Sequence, residues 1–309
     1  MLFRSLNIPP ASPNTQMAEI MLRLEQVCLN EFMPDLIMVV GDVNSTFAAA
    51  LTANKLNIKL AHVESGLRSF DRTMPEEYNR ILTDVIADYL FVTEDSGMQH
   101  LLNENRKKSE LFLVGNTMID TLVAFDHMIQ QSDVIEKYGL AKHQFVLMTM
   151  HRPATVDHSE GLQKLIAIIK MITEKYKLIF PVHPRTLHRI EEFGLKEEIS
   201  SNSNLIFTEP LDYFAFQKLV CDCKFVITDS GGIQEETTFR QVPCLTLRQN
   251  TERPSTVTIG SNELLPFDLP EIAQRIDAIA EGLYKKGSIP PMWDGHASLR
   301  IIEILKTLI

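Results

Sequence analysis

The sequence predicts an α/β protein of two domains, each built on a parallel sheet, with a ligand cleft expected between them. Short continuous apolar runs alternate with longer amphipathic stretches along most of the chain, and strands covered on both faces read as unbroken apolar runs. The 309 residues, 45% of them hydrophobic, suffice for two cores at about 150 residues each. In order, strands are expected at residues 36–40, 59–63, 89–93, 111–114, 145–150, 178–182, 205–207, 225–228 and 244–247, each followed by a helical pattern. The helical stretch Ile119 to Gly139, interrupted by the polar run Gln130-Gln131-Ser132-Asp133, is the expected link. It divides an N-terminal domain, residues 1–125 with a returning helix at 292–309, from a C-terminal domain at 126–291.

Composition narrows the function classes. A formal net charge of -10 and no basic cluster longer than Arg106-Lys107-Lys108 argue against a nucleic-acid partner, which needs a basic face. No uncharged apolar run approaches the ~18 residues of a membrane span. The first residues lack a secretory apolar core, and the four cysteines have no disulfide-scaffold spacing. A cytoplasmic protein without a membrane partner is expected. Cys221-Asp222-Cys223 lacks a second metal-ligating pair and the thioredoxin spacing, so its cysteines read as packing residues.

Ligands of open α/β sheets bind outside the carboxyl ends of the strands, and several charged segments fall there. Asp42 follows the run ending at Gly41, and Asn44-Ser45-Thr46 is placed to cap a helix from Phe47 to Leu56; Asp42 is either a further cap or a site carboxylate. Glu64 follows a buried strand directly and needs partners, for which Arg68 and Arg80 are candidates. Pro75 suits the first position of a helix, with Glu76 and Glu77 in its first turn. Glu76, Asn79 and Arg80 are spaced i, i+3, i+4 and share a face.

In the second half, Asp229-Ser230-Gly231-Gly232 joins a strand to a helix, the arrangement of a diphosphate cradle. Glu235 and Glu236 would repel phosphate if aimed at it, so one of them is better suited to sugar hydroxyls. Arg253 is a candidate counter-charge. His151 ends another strand, where acid–base work or a phosphate contact is open to it, and His183 and Arg185 are placed similarly. A zinc site from His62, Glu64, His151 and His183 lacks the helical two-histidine spacing, and no metal is expected. Neither G-x-G-x-x-G nor G-x-x-x-x-G-K-[ST] occurs, which removes support for nicotinamide redox chemistry and P-loop phosphoryl transfer.

These segments, with Gly115-Asn116-Thr117-Met118-Ile119-Asp120, His183-Pro184 and Glu252-Arg253-Pro254, resemble in order the non-hydrolysing UDP-N-acetylglucosamine 2-epimerases, from about residue 34 to the C-terminus. The resemblance implies two Rossmann-like domains in a glycosyltransferase-B-like fold, a last helix packed on the first domain, a homodimer, and a role in precursors of surface polysaccharides. It implies interconversion of UDP-GlcNAc and UDP-ManNAc through 2-acetamidoglucal, with no cofactor. Asp42, Glu64 and Glu76 would be the acid–base carboxylates, and His151 would hold the departing diphosphate. Arg80, Ser230, Gly231, Gly232 and Arg253 would bind substrate, with Glu236 on the ribose.

The family's opening strand, its Gly-x-Arg-Pro-Glu loop and the following lysine have no counterpart in these residues, so a shortened first domain is expected. Pro153-Ala154-Thr155 stands where the family often carries an acid, and Gly260 to Pro266 lacks a late glycine; the first change bears on substrate preference. A nucleotide-sugar glycosyltransferase and a non-catalytic UDP-sugar-binding relative are the alternatives. Three carboxylates in one domain speak against the transferase, which needs one base and an acceptor groove.

Overall fold

The computed structural model describes residues 5–182 and 184–308, leaving aside the side chains of Pro153, Ala154 and Ser200. Two compact units emerge, Met1–Thr117 with Asp294–Ile309, and Met118–Trp293.

The first unit opens with α1 (Pro13–Asn30), capped by the Ser12 hydroxyl. Then follow β1 (Leu36–Val40), α2 (Asn44–Lys55), β2 (Lys59–Ser65), α3 (Pro75–Ile86), β3 (Tyr89–Val92), α4 (Asp95–Asn103) and β4 (Leu111–Leu113). The strands form one parallel sheet in the order β1-β2-β3-β4. Alternate side chains supply its two faces. Val39, Leu60, Leu90 and Val92 join a core with Ala50 and Ala53 of α2, while Ala61, Val63 and Phe91 pack with Ile301, Ile304 and Leu305 near the C-terminus. That is the two-sided burial which produces continuous apolar strands.

The second unit begins one residue into the first of three short helices, α5 (Thr117–Ala124), α6 (Asp126–Gln130) and α7 (Val134–Lys137). The polar run noted above interrupts them, while Ile119, Leu122 and Ile129 pack with Trp293. After β5 (Phe145–Thr149) come α8 (Pro153–Val156), α9 (Ser159–Thr173), β6 (Lys177–Pro181), α10 (Pro184–Glu192), α11 (Glu197–Ser200) and β7 (Leu205–Thr208). The chain continues through α12 (Tyr213–Asp222), β8 (Phe225–Thr228), α13 (Gly232–Arg240), β9 (Cys244–Leu247), α14 (Pro254–Thr258), β10 (Asn262–Leu265) and α15 (Leu269–Ala280). The last helix, α16 (Ala297–Leu308), belongs to the first unit. In β5, Val146 and Met148 face one core and Phe145 and Leu147 the other, the period-2 division of a sandwiched strand.

The second sheet is parallel throughout, in the order β10-β9-β8-β5-β6-β7. After β5 the chain builds outward through β6 and β7, then returns to lay β8 on the other side of β5. The gap between β5 and β8 is therefore a topological switch point, where α/β sheets place ligands. β10 has no counterpart among the expected strands because Asn262 and Glu263 interrupt its apolar run. Asn262 is fully buried, and its side chain bonds Thr246, Gln234 and Thr256, so tertiary partners satisfy a polar residue that sequence pattern counts against a strand.

Candidate active site

In the first unit two of the predicted acids, Asp42 and Glu64, stand at the ends of the adjacent strands β1 and β2. Gly41 takes φ +71°, a conformation that favours glycine, and its N–H donates to Val63 O at 3.1 Å. The Asp42 carboxylate receives Arg80 Nε at 2.9 Å and Nη2 at 2.8 Å. The expected capping role is not what the structure shows. α2 starts at Asn44 behind Val43, without a side-chain cap bond, and the Thr46 hydroxyl donates to Val40 O. Asn79 Nδ2 bonds Asp42 O at 2.9 Å and Asn44 Oδ1 at 3.1 Å. Asn79 and Arg80 thus grip the turn after β1 from α3.

Glu64 is non-glycine at φ 68°, beside a register irregularity between Val63 and Ser65. Such a conformation costs about 1–3 kcal/mol and persists where surrounding structure over-determines it. It brings the carboxylate over Gly41, where an added Cβ would lie 3.9 Å from Glu64 Oε2. Glu76 sits half-buried in the first turn of α3. Its neighbour Glu77 is the buried one: it accepts from Ser69 N, Ser69 Oγ and Phe70 N, each at 2.9 Å, and from Arg80 Nη1 at 2.5 Å. Arg80 therefore spans Glu77 and Asp42. The signal for Glu77 was its i,i+3 spacing to Arg80.

Arg68 does not serve as the counter-charge foreseen for Glu64. Its guanidinium bonds Asp84 Oδ2 at 2.7 Å, Glu104 through Nε and Nη2 at 2.9 and 2.7 Å, and Leu67 O at 2.7 Å. Asp84 Oδ1 lies 2.6 Å from His62 Nδ1, and His62 Nε2 lies 2.9 Å from Gly41 O. Burial opposes a charge on His62, but Asp84, the Gly41 carbonyl and nearby Glu64 outweigh it and raise the imidazole's proton affinity. Burial likewise penalises the Asp84 anion, and His62 and Arg68 more than compensate, holding this carboxyl below its usual range.

In the second unit, His151 and Asp229 flank the switch point. Thr149 and Thr228 are in register, and the chain leaves each strand toward these residues. The fully buried Asp229 accepts from His151 Nδ1 at 3.0 Å, His151 N at 3.0 Å and Arg152 N at 2.8 Å. This bond to Asp229 raises the proton affinity of the half-exposed His151, against partial burial. Asp229 is an aspartate with a position in the quoted motif whose partner only the sheet topology reveals. His183 lies outside the described residues. Arg185, in the first turn of α10, bonds Asp157 at 2.5 Å.

Around the glycine turn, Ser230 N already donates to the Thr228 hydroxyl. α13 begins at Gly232, with Gly231 preceding it. A Cβ on Gly231 would sit 3.0 Å from Glu252 Oε1 and 3.2 Å from Arg253 Nη1. Arg253 is buried, pairing with Glu235 through Nε at 2.6 Å and with Glu252. Arg248, at the end of β9, was not singled out from sequence. It bonds Glu252 at 3.1 Å, and its buried Nη1 has no hydrogen-bond partner among the described residues. A charge directly after a buried strand was the available signal. Glu236 is pushed up to about 7 by burial, against Gln217 and Arg240. Glu235 thus serves Arg253, leaving Glu236 as the carboxyl suited to a hydroxyl ligand.

Among the described residues no group of three His, Cys, Asp or Glu is arranged to hold a metal ion, and no helix is long and apolar enough to cross a membrane.

The family profile described as UDP-N-acetylglucosamine 2-epimerase matches residues 4–306, extending the resemblance well before residue 34. The UDP-N-acetylglucosamine 2-epimerase of Methanocaldococcus jannaschii is 37% identical over 306 residues, 97% of this chain and 83% of that protein. Its crystal structure in complex with UDP-GlcNAc and UDP superposes with a TM-score of 0.86 over the same shares of each chain. The UDP-2,3-diacetamido-2,3-dideoxy-D-glucuronate 2-epimerase of Pseudomonas aeruginosa is 34% identical over 308 residues, 98% of this chain and 83% of that protein. A sucrose-phosphate synthase from Thermosynechococcus elongatus, 13% identical with a TM-score of 0.61 over 97% of this chain and 80% of that one, shares the fold alone. The glycosyltransferase-B-like fold follows from these likenesses. With strand-end motifs, topology and a profile spanning nearly every residue in agreement, this chain belongs to the UDP-N-acetylglucosamine 2-epimerase family, whose members are UDP-sugar isomerases.

Proposed function

We propose that the protein interconverts UDP-GlcNAc and UDP-ManNAc. The observation that carries this reading is the placement of Asp42 and the strained Glu64 at the ends of the neighbouring strands β1 and β2; the second unit by itself carries an anion-suited set. A carboxylate takes the C2 proton while the C1–O bond breaks and its electrons leave with UDP, giving 2-acetamidoglucal. Reprotonation at C2 from the opposite face and return of UDP to C1 complete the exchange. Asp42, Glu64 and Glu76 are the carboxyls that divide the acid and base roles between them.

His151, made more basic by Asp229, meets the diphosphate as a cation. Ser230, Gly231, Gly232 and the start of α13 supply a backbone cradle, Arg253 adds charge, Glu236 accepts from the ribose, and Arg80 orients Asp42 toward the sugar. The test is proton NMR of UDP-GlcNAc with purified protein in D2O. A UDP-ManNAc anomeric signal together with deuterium at C2 supports the proposal; UDP binding with neither signal supports the binding-only relative. The Pseudomonas aeruginosa likeness favours a second reading, a differently substituted UDP-2-acetamido sugar, decided by running both sugars in the same assay. The homodimer expected from the resemblance is checked by light scattering.

A further inference from the structure

His62 is fully buried, and both its ring nitrogens meet acceptors. Nδ1 faces the Asp84 carboxylate at 2.6 Å and Nε2 faces the Gly41 carbonyl at 2.9 Å. A carbonyl oxygen offers no proton, so Nε2 must carry one. Asp84 Oδ2 accepts from Gly66 N at 3.0 Å and from the buried Arg68 at 2.7 Å, an environment that keeps the carboxylate ionised. Nδ1 must then carry a proton too. With His62 and Arg68 positive and Asp84 and Glu104 negative, the cluster balances; a neutral imidazole would leave it one negative charge in excess, with Glu64 close by.

We infer that His62 is an imidazolium through neutral pH and the positioning residue of the carboxylate pair: it holds the Gly41 carbonyl, fixing the turn into Asp42, and its charge favours the ionised form of Glu64. The chain on either side agrees. Gly41 is held from its other end by Val63 O, and Glu64 lies two residues after His62, over Gly41. Asp84 from α3 completes the arrangement, with Arg68 and Glu104 behind it. The inference rests on the proposed proton-transfer role of Asp42 and Glu64.

Nitrogen-15 NMR of histidine-labelled protein, with His62 assigned through contacts to Gly41 and Asp84, reads the protonation state directly. Both ring nitrogens protonated at pH 8, where a free histidine is neutral, is the expected result; a neutral tautomer overturns the inference. Kinetics of His62→Gln supply the second arm. Turnover is expected to fall at least tenfold with UDP affinity within about twofold of wild type, and the acid limb of the kcat profile to move to higher pH as Glu64 loses its neighbouring cation. Unchanged turnover or an unmoved limb overturns it. Should the single variant not fold, His62→Gln combined with Asp84→Asn keeps the cluster free of an unpaired charge and is judged by the same criteria. If wild-type protein catalyses no C2 exchange, the proposed function fails while the NMR arm still decides the imidazolium. If exchange proceeds and His62 is neutral, only this inference fails.

Discussion

The two strand-end clusters solve opposite electrostatic problems. In the first unit, acids are gathered and held by cations from behind: Arg80 on Asp42 and Glu77, Arg68 and His62 on Asp84. In the second, cations are gathered and held by acids: Asp229 on His151, Glu235 and Glu252 on Arg253, Glu252 on Arg248. A buried charge without a partner is costly, so each cluster carries its own counter-charges before any ligand arrives. Both stand at the carboxyl ends of parallel strands, yet the first is suited to moving a proton and the second to receiving an anion.

The sharpest break of that comparison is expected at Glu64. Glu64→Gln should lower turnover about 10²- to 10⁴-fold, the range for removing an acid–base group, while calorimetric UDP affinity stays near wild type. Glu64→Gly carries a further expectation. Relieving φ 68° should stabilise the fold by about 1 kcal/mol in urea unfolding, although activity is lost. A Glu64→Gln protein that turns over normally would remove the distinction between the two clusters.

Arg253→Ala should act on the other side. Loss of charged hydrogen bonds worth about 1.5–3 kcal/mol predicts UDP affinity weaker by about tenfold to hundredfold. Thermal stability should fall as well, because Glu235 and Glu252 lose a partner. Asp229→Asn is expected to be milder. It keeps an acceptor for the His151 and Arg152 backbone but removes the charge that raises the imidazole's proton affinity. UDP binding should weaken at neutral pH and recover as acid protonates His151, which titration calorimetry across pH reads out.

The smallest effect is the pH dependence of stability carried by His62 and Asp84. The folded-state proton affinity of His62 is raised above its ordinary 6.5. Its contribution is thus complete below that value and lost as pH rises through the elevated one. The value for Asp84 is depressed below 3.8, so its contribution is complete above that point and lost as pH falls through the lower one. Urea midpoints across pH should show a plateau between these limits, and His62→Gln should flatten its alkaline edge.

How far the sequence could be read differs by element. β5 and β8 were legible because a strand buried on both faces must be continuously apolar, and Val146, Met148, Val226 and Ile227 leave no other reading. Helix α3 was legible from Pro75 and its first-turn acids. β10 was not, because Asn262 is paid for by partners distant in sequence. Among site residues, strand-end position drew attention to Asp42, Glu64 and His151. It could not tell that Glu77 rather than Glu76 would turn inward, or that Arg68 would serve Asp84.

The sequence by itself determined the class, the strand order along the chain and the chemical types at each strand end, because periodicity and turn residues act locally. Tertiary structure alone decided which charges meet across long stretches of sequence. Placing β8 against β5 joins Asp229 to His151 across 78 positions, and packing α3 against β2 brings Asp84 to His62 across 22. Those pairings depend on strand neighbours and helix rotation, which are set when the sheets are buried and which no local pattern encodes.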